Sequence, residues 1–389
     1  MENKICVYAI CKDEKKFIDR WLDSMKEADY IVVLDTGSTD GTYEDIKIKS
    51  KSNTYNTKII VYQNVISPWR FDVARNESLD IAYKLTDANI FMCTDLDEIL
   101  EPGWANVLKE KWIEGKHERC RYKYTWSHTE NGSEGRSFFY DKIHSRNWKW
   151  TYPVHEFLAR ENDPGYKTSE TLNLFNDIHL HHYPDKNKSR SSYLPLLRLR
   201  LEENPDDLTT MMYLGHELYY RGEYEESITV LERALTKIPG NGIDKASCYL
   251  FMGDCYKELE KNTPNKLNGH YKYEKILMYM KAIGSDSTYI EPYLALGHHY
   301  YDNGDYDNCI TIVNKGIKNG IRHFSWLERD LSWSYDPWDL LSLAYFYKGD
   351  KITSLGYAVK AYSYDQNNKR LFDNINLILK NSHDRELLK

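Results

Sequence analysis

The chain has 389 residues, which predicts two or three domains and allows a sizeable hydrophobic core. Charged residues make up 29% and hydrophobic residues 41% of the chain, a balance that is typical of soluble globular proteins. The net charge of -7 gives no support to nucleic-acid binding through a basic surface.

The N-terminal sequence MENKICVYAICKDE does not have the pattern of a secretory signal, because its apolar segment is short, is interrupted by Tyr8 and runs into charged residues. No stretch approaches the roughly 18 consecutive apolar residues that a membrane helix needs. The seven cysteines include no CxxC pair, as is typical of free thiols in a reducing compartment. We therefore expect a cytoplasmic protein without an integral membrane segment.

Strand and helix patterns alternate over the first 95 residues. The apolar, β-branched runs predict strands over residues 4–11, 30–35, 57–64 and 89–95, and the segments between them predict helices over residues 13–28, 41–50 and 72–86. Repeated strand–helix–strand units predict an α/β fold with a mostly parallel, Rossmann-like sheet covered by helices. Ligands of such sheets bind at the carboxyl ends of the strands.

Three carboxylates follow the fourth predicted strand, in the sequence IFMCTDLDE. Asp95 and Asp97 face the same side of an extended segment and repel each other unless a positive charge lies between them. A divalent cation such as Mg²⁺ or Mn²⁺ binds carboxylate and phosphate oxygens and supplies that charge. The alternative is an acidic strand end or helix cap, which the tripeptide taken alone favours.

Further polar residues fall at the same predicted edge. Asp35 and the turn that contains Asp40 can hydrogen-bond a base or a ribose, or can form a plain strand-to-helix loop. Glu14 follows the first strand and can serve either as a ligand residue or as a helix cap. Arg75 opens a helix with a guanidinium that matches phosphate geometry, unless it is a surface arginine. Together these residues predict a binding site at one edge of one sheet.

Residues 115–185 are rich in aromatic residues and histidine, and we expect strands and loops that close over the site. From about residue 190 onward, helical segments repeat Leu-Gly, Tyr, Gly, Tyr and then a small residue, Ala or Gly, at matching positions, which is the pattern of paired tetratricopeptide helices. Three to four repeats are predicted, with an insertion near residues 261–270; a generic helical bundle is the alternative. The predicted domains are therefore residues 1–190, α/β, and residues 191–389, all-α.

Several of these motifs together resemble one enzyme family. IVVLDTGSTDGT, FMCTDLDE and VARN are similar to the nucleotide-binding strand, the D-x-D metal motif and the Arg-Asn helix start of family 2 glycosyltransferases with the GT-A fold. The downstream VHE and HLHHY segments, followed by tetratricopeptide repeats, resemble a bacterial subgroup that includes peptide S- and O-glycosyltransferases. Two departures are Arg70, where relatives often have an acidic residue, and KDE in place of the more usual Asn-Glu.

The resemblance implies roles for individual residues. Asp35 is expected to contact the uracil or ribose of a UDP-sugar, Asp95 to hold the ribose side and Asp97 to bind Mn²⁺ or Mg²⁺. Arg75 is expected to help with the nucleotide or diphosphate. One histidine of the pair 181–182 is expected to approach the metal, with His181 preferred because it follows the strand-like DIHL.

An inverting transfer also needs a base near the acceptor. Glu156 is the candidate, with His155 beside it as its orienting partner or as the base itself; a structural hydrogen-bonded pair is the alternative. The repeats are expected either to bind a peptide, protein or glycan acceptor or to mediate self-association. The competing function is a catalytically inactive transferase-like domain that serves with the repeats as a protein-binding scaffold. A nucleotidyltransferase is disfavoured, because CKDEKKF lacks a glycine-rich phosphate loop.

Overall fold

The computed structural model describes residues 2–52, 54–129, 132–160, 173–185, 191–262 and 269–381. The chain divides into two compact units, residues 1–200 and 201–389, which we call the sheet domain and the helical domain. The predicted boundary at residue 190 precedes a helix, Tyr193–Glu203, which runs from the first unit into the second.

The sheet domain alternates strands and helices at first and then continues mainly with strands. In chain order its described strands are β1 (Ile5–Cys11), β2 (Tyr30–Asp35), β3 (Lys58–Gln63), β4 (Ile90–Cys93), β5 (Glu98–Leu100), β6 (Arg119–Thr125), β7 (Ser137–His144), β8 (Trp148–Thr151), β9 (Phe157–Arg160) and β10 (Asn173–His182). Its described helices are α1 (Ile18–Met25), preceded by a 3-10 turn at Lys15–Phe17, α2 (Thr42–Lys49), α3 (Phe71–Leu85), α4 (Trp104–Lys111) and α5 (Tyr193–Glu203). The four strands predicted in the first 95 residues are thus β1 to β4.

Eight strands form one mixed sheet in the order β3-β2-β1-β4-β7-β6-β10-β5, and β8 pairs with β9 in a separate hairpin. The β1–β2, β2–β3, β1–β4 and β6–β10 pairs are parallel, whereas the β4–β7, β6–β7 and β5–β10 pairs are antiparallel. The α/β prediction is confirmed, and the antiparallel strands come from the aromatic segment after residue 115.

Strand β1 is buried along its whole length, because hydrophobic clusters lie on both faces of the sheet. Val7 and its alternate neighbours pack into the cluster that contains Trp21, while Tyr8 packs into the cluster that contains Phe91. A central strand with two covered faces reads as a continuous apolar run, as KICVYAIC does.

The aromatic segment after residue 115 extends the sheet. Strand β6 alternates buried Cys120, Tyr122 and Tyr124 with more exposed positions, and it pairs with β7 and β10. The expectation of strands is confirmed, but β6, β7 and β10 belong to the sheet instead of closing over it. A period of two in buried residues, with aromatic side chains that fill the core, explains why these strands join the sheet.

The helical domain consists of successive helix pairs. Its described helices are α6 (Leu208–Tyr220), α7 (Tyr224–Leu235), α8 (Ile243–Asn262), α9 (His270–Ser285), α10 (Glu291–Asp302), α11 (Tyr306–Asn319), α12 (Asp336–Lys348), α13 (Lys351–Tyr364) and α14 (Lys369–Asn381), with a 3-10 turn at Asp330–Trp333. Among the described residues, four pairs follow one another: α6 with α7, α8 with α9, α10 with α11, and α12 with α13. The predicted repeat architecture is confirmed.

The short turns within three of these pairs share one conformation. Gly222, Gly304 and Gly349 each have φ between 74° and 91° and lie one or two residues after the first helix of the pair. L-amino acids with a side chain rarely adopt this left-handed conformation, so glycine ends the helix and lets the chain reverse. The recurrence of glycine at this point is the structural basis of the repeat seen in the sequence.

None of the helices within the described ranges combines the length and the apolar character that a membrane-spanning segment requires.

Candidate active site

The carboxyl ends of β1, β2 and β4 meet at one edge of the sheet. Cys11 of β1 pairs with Asp35 at the end of β2, and Tyr8 of β1 pairs with Cys93 at the end of β4. The segment after Cys93, which carries Asp95 and Asp97, therefore lies level with the end of β1. The structure thus brings the polar clusters that follow these strands to a common edge, as parallel strands require.

Asp95 lies between two buried cations. Arg75 Nη1 is 3.0 Å from Asp95 Oδ1, and Lys142 Nζ is 3.6 Å from Asp95 Oδ2. The Arg75 and Lys142 side chains are each only 5% exposed, whereas that of Asp95 is 32% exposed. The negative charge of Asp95 is therefore largely balanced by the protein itself.

The side chain of Glu98 stabilises the same turn by binding the backbone of Asp95. Its Oε2 accepts a hydrogen bond of 2.9 Å from the backbone N–H of Asp95, and its Oε1 lies 3.8 Å from Lys142 Nζ. Burial raises the pKa of Glu98, and the charge of Lys142 acts in the opposite direction. Burial lowers the pKa of Lys142, but the charges of Glu98 and Asp95 prevail and raise it, so Lys142 stays protonated.

Asp97 has a different partner. His182 Nε2 lies 3.4 Å from Asp97 Oδ2, and both side chains are 12% exposed. His182 Nδ1 lies 2.9 Å from the carbonyl oxygen of Trp126, which can only accept, so Nδ1 carries a proton and Nε2 is directed at Asp97. Burial would lower the pKa of His182, but the hydrogen bond and charge of Asp97 raise it.

The structure distinguishes the two neighbouring histidines by the carboxylates they face, while the predicted metal contact of His181 stays a prediction. His181, the residue preferred from the sequence, directs Nε2 to Glu101 Oε1 at 2.9 Å, away from Asp97. Consecutive residues of a strand point to opposite faces, so only one histidine of the pair can face Asp97, and it is His182. The segment DIHL marks the strand but does not give the face, and for this reason the sequence left the choice open.

Arg75 and Asn76, near the start of α3, bind the β8–β9 hairpin. Arg75 Nε donates to Glu156 Oε1, and its Nη1 donates to Cys93 Sγ at 3.1 Å. Asn76 bonds the backbone of Trp150 twice, donating to its carbonyl and accepting from its N–H, each at 2.8 Å. The structure therefore gives Arg75 contacts within the protein, and its predicted contact with the nucleotide or diphosphate stays a prediction.

The candidate base residues lie in the turn of this hairpin. Glu156 is held by its ion pair with Arg75, and its side chain is 11% exposed. His155 has φ of 51°, a strained value for a residue with a side chain, and its ring meets the edge of Tyr193 at a centroid distance of 5.6 Å. Through Arg75, Glu156 is connected to Asp95, so the hairpin turn and the D-x-D segment belong to one network.

Asp35 organises the turn after β2. Its Oδ1 accepts hydrogen bonds from Gly37 N at 3.0 Å, Ser38 N at 2.9 Å and Gln63 Nε2 at 2.9 Å. Burial opposes its charge, but the hydrogen bonds from Ser38 and Gln63 hold the pKa of Asp35 below its ordinary value. The side chain is fully buried, so it shapes the turn that a nucleotide would meet; a direct contact with base or ribose stays a prediction.

Asp40 and Glu14 connect the loops that follow β1 and β2. Asp40 accepts hydrogen bonds from Thr42 N at 2.9 Å and from Lys15 N at 3.1 Å, and the Glu14 N–H donates to Thr42 Oγ1 at 2.9 Å. Burial opposes the charge of Asp40, but the hydrogen bonds from Thr42 and Lys15 lower its pKa. These hydrogen bonds thus cross-link the two loops, and the roles of Asp40 and Glu14 in nucleotide binding stay predictions.

Lys142 is the site residue that the sequence reasoning missed. It lies in β7, 44 positions after Glu98 in the chain, and no local motif connects the two. One signal was present: Lys142 stands beside Ile143 in the strand sequence SFFYDKIH, and lysine is rarely buried unless it is paired. A lysine in a buried strand indicates an acidic partner, but it does not identify that partner.

Comparison with known families and structures adds the following findings. Residues 6–163 match the sequence model of Glycosyl transferase family 2, a range that runs from the second residue of β1 past the end of β9 and contains every predicted site residue except His181. No curated protein matches the chain.

The solved structures similar to this chain include the following two. A thermophilic TPR protein of Thermus thermophilus is 16% identical, with a TM-score of 0.38, and the match covers 48% of this chain and 89% of that chain. MamA is 19% identical, with a TM-score of 0.35, and the match covers 48% of this chain and 99% of that chain. The repeat assignment rests on the helix pairs described above.

Proposed function

We propose that the sheet domain, which is a glycosyl transferase family 2 domain, moves a sugar from a nucleotide-sugar to an acceptor with inversion at the sugar carbon and with the help of a divalent metal ion. The donor we propose is a UDP-sugar, the metal Mn²⁺ or Mg²⁺, and the acceptor a peptide, a protein or a glycan. The transferred group would be a hexose or an N-acetylhexosamine.

The observation that carries this proposal is that Asp95 and Asp97 have different ionic partners. Asp95 is balanced by Arg75 and Lys142, whereas Asp97 faces only His182 among the ionic partners that the structure describes for it. A carboxylate and an imidazole nitrogen that converge at the carboxyl edge of the sheet form the start of a metal site.

The donor atoms of this pair suit a divalent ion. Asp97 offers a hard carboxylate oxygen, and His182 offers Nε2 while its Nδ1–H is fixed by the Trp126 carbonyl. A backbone carbonyl that fixes the second ring nitrogen is the usual arrangement around metal-binding histidines. With two protein ligands, the remaining positions suit diphosphate oxygens and water, and the bound ion would offset the charge that develops on the departing diphosphate.

The protein residues around this pair then have separable tasks. Arg75 and Lys142 neutralise Asp95 and fix the D-x-D turn, so that Asp97 keeps its orientation. The turn held by Asp35 lies at the same edge, and the nucleoside is proposed to lie against it. This arrangement holds the diphosphate and the nucleoside of one donor along the same edge, which positions the donor for in-line attack by the acceptor.

We propose that the residue that deprotonates the acceptor lies in the turn of the β8–β9 hairpin. The ion pair of Glu156 with Arg75 favours a positioning role for Glu156, since the guanidinium holds one carboxylate oxygen and stabilises the charged form. The strained backbone of His155 favours His155 as the residue that takes the proton, because strain of this kind is often retained at functional positions. The pH–rate profiles of His155→Gln and Glu156→Gln test this: the base variant loses the acidic limb of the profile, and the positioning variant keeps it.

The acceptor is proposed to engage the helical repeats. Repeat domains commonly bind extended segments along their surface, and this domain exposes large aromatic side chains, among them Tyr220, Tyr273 and Tyr347. Self-association through the same surface is the alternative that the sequence left open.

The deciding experiment measures donor binding and donor hydrolysis. Nucleotide-sugars are screened for Mn²⁺-dependent thermal stabilisation, and the best of them is then assayed for hydrolysis. We expect Asp97→Asn to reduce hydrolysis by on the order of 10³-fold without lowering the melting temperature. Asp87→Asn is the matched control, because Asp87 is an exposed carboxylate that pairs with Lys4 just before β1, at the opposite edge of the sheet.

A different result would support the scaffold function. If no nucleotide-sugar stabilises the wild-type protein with Mn²⁺, or if Asp97→Asn hydrolyses the donor as fast as Asp87→Asn, the proposed transferase mechanism is wrong.

A further inference from the structure

A second cluster of metal-binding side chains lies near Asp97 but does not include it. Glu101 Oε1 lies 3.0 Å from His179 Nδ1 and 2.9 Å from His181 Nε2. One ligand atom from each of the three residues lies within 4.8 Å of the others. The two histidine side chains are 9% and 15% exposed, whereas Glu101 is 57% exposed, so the cluster is partly buried and open on its carboxylate side.

The strand geometry explains why these three residues meet. His179 and His181 are separated by two positions in β10 and therefore point to the same face of the sheet, with ring centroids 3.8 Å apart. Glu101 directly follows β5, the antiparallel neighbour of β10, and its N–H donates to the carbonyl of His179 at 3.1 Å. His182 points to the opposite face, toward Asp97, so the two sets of ligands are separated by the sheet itself.

Each histidine has a partner at its other ring nitrogen. His179 Nε2 lies 2.8 Å from Thr125 Oγ1, and His181 Nδ1 lies 3.1 Å from His128 Nε2. A hydroxyl and an imidazole can each donate or accept, so both partners can follow a change of tautomer. Ring orientations fixed in this way are typical of histidines that bind metal ions.

From these contacts we infer that Glu101, His179 and His181 bind a zinc ion. Two imidazoles and one carboxylate form a common three-residue zinc set that leaves the fourth position to water. A zinc ion with bonds of about 2.0–2.1 Å separates tetrahedral ligand atoms by about 3.3 Å, so Glu101 Oε1, now 3.0 and 2.9 Å from the two histidine nitrogens, needs to move by only a few tenths of an ångström from each. The ion takes the place of the two N–H protons that now bridge the histidines to Glu101.

The ligand chemistry separates this site from the one on the other face. Imidazole nitrogens favour Zn²⁺ over Mg²⁺ and Mn²⁺, which prefer oxygen ligands and phosphates. A zinc ion here would join the end of β10, where His182 lies, to Glu101 after β5, and Asp97 lies immediately before β5 on the same strand pair. We infer that this ion, whose fourth position stays open to water, also fixes the strand pair on which the proposed catalytic metal depends.

The test measures zinc in the full-length protein in the absence of any nucleotide. The protein is stripped with a chelator, dialysed against limiting ZnCl₂, and its zinc content is determined by mass spectrometry. We expect one zinc per chain in the wild type and a zinc affinity at least about 10-fold lower in His181→Ala and in Glu101→Gln. His182→Ala is the matched control: it removes the adjacent histidine of the same strand and should keep its zinc.

Cobalt substitution provides a second readout that does not depend on stability. Tetrahedral Co²⁺ bound through two imidazoles gives visible absorption bands, which should appear in the wild type and in His182→Ala but not in Glu101→Gln. Circular dichroism identifies any variant that fails to fold, and Glu101→Gln, at an exposed position, is the one we expect to remain folded.

The inference is wrong if Glu101→Gln and His181→Ala hold as much zinc as the wild type, or if His182→Ala and Asp97→Asn lose it. Because zinc content is measured without donor or acceptor, these results are independent of whether the sheet domain transfers a sugar.

Discussion

The sheet domain and the helical domain both bury ionisable side chains, but they surround them with different partners. At the edge of the sheet, Arg75 and Lys142 are shared among several carboxylates, and Asp97 is left facing a histidine. In the helical domain, Arg329 pairs with Asp254, and buried Glu291 accepts a backbone hydrogen bond of 2.8 Å from Arg329. Asp97, near a strand end, thus lies at the edge of the sheet, whereas Glu291 and its partner lie between packed helices.

The two domains also use their packing differently. The sheet core is filled by alternating residues of extended strands, so a polar residue at the end of a strand costs the core little. The helix pairs require glycines where two helices touch: a Cβ atom at Gly253 would lie 2.5 Å from the ring of Tyr279, and one at Gly297 would lie 2.5 Å from Val313. Function and stability should therefore respond to different substitutions in the two domains.

The largest effect on stability is expected from breaking the buried network of the sheet domain. Lys142→Met leaves Glu98 buried without its cation and should lower the free energy of unfolding by about 3–5 kcal/mol. Lys109→Met is the control, because Lys109 pairs with Asp29 at 3.0 Å in a site where both side chains are about 30% exposed, and such pairs contribute about 0–1 kcal/mol. Hydrogen exchange of β1 and β4 amides reports the change.

Removing the charge of Glu98 as well tests whether that charge causes the loss of stability in Lys142→Met. Adding Glu98→Gln to Lys142→Met should recover part of the lost stability, because the uncompensated charge is removed. Equal losses in Lys142→Met and Lys109→Met would show that the network does not stabilise the sheet edge.

An intermediate effect is expected from the helix contacts of the helical domain. Gly253→Ala forces the Tyr279 ring to move and should destabilise the helical domain by about 1–3 kcal/mol, while donor hydrolysis is unchanged. Gly356→Ala is the control, since a Cβ there meets no atom within 4 Å. It should stabilise helix α13 by about 0.5–1 kcal/mol through helix propensity. Thermal unfolding of both variants measures the difference, and a loss in Gly356→Ala as large as that in Gly253→Ala would contradict the packing argument.

The smallest effect is a difference in pH response between the domains. Burial lowers the pKa of His144 to about 3, and its neutral ring accepts from the hydroxyl of Tyr8 at 2.7 Å. Unfolded chains bind a proton at this residue near pH 6.5, so the sheet domain loses stability as the pH falls, by about 1 kcal/mol between pH 7 and 5.5.

The helical domain responds with the opposite sign. Burial raises the pKa of Glu291 to about 7, so the folded domain binds the extra proton between the unfolded value of about 4.5 and pH 7. Its stability therefore increases by about 1–2 kcal/mol as the pH falls from 7 to 5.5. Hydrogen exchange measured separately for the two domains checks both signs. His144→Gln and Glu291→Gln should each flatten the response of their own domain only, and a change in the other domain would contradict the assignment.

Much of the fold follows from periodicity in the sequence. The buried runs of β1 to β4 and the helical spacing of Trp21 and Leu22 predict a strand–helix alternation that the structure confirms. The recurring glycines and aromatic residues likewise predict the helix pairs. These features are local, because each depends on residues a few positions apart, and the sequence shows them directly.

The partners of the site residues depend on contacts between distant parts of the chain. Arg75 meets Glu156 and Lys142 meets Asp95 because β7 and the β8–β9 hairpin return to the end of β4. The choice between His181 and His182 depends on which face of β10 is turned toward Asp97, and a shift of one residue in strand register would reverse it.

The sequence by itself therefore determined the order of elements, the helix-pair repeat and the position of the acidic segment at a strand end, since hydrophobic periodicity and turn residues specify these locally. Only the tertiary structure decided which carboxylate is neutralised, which histidine faces Asp97, and that Glu101, His179 and His181 meet on the other side of the sheet. Electrostatic partners are set by distance in space, and strand pairing brings together residues that the chain keeps far apart.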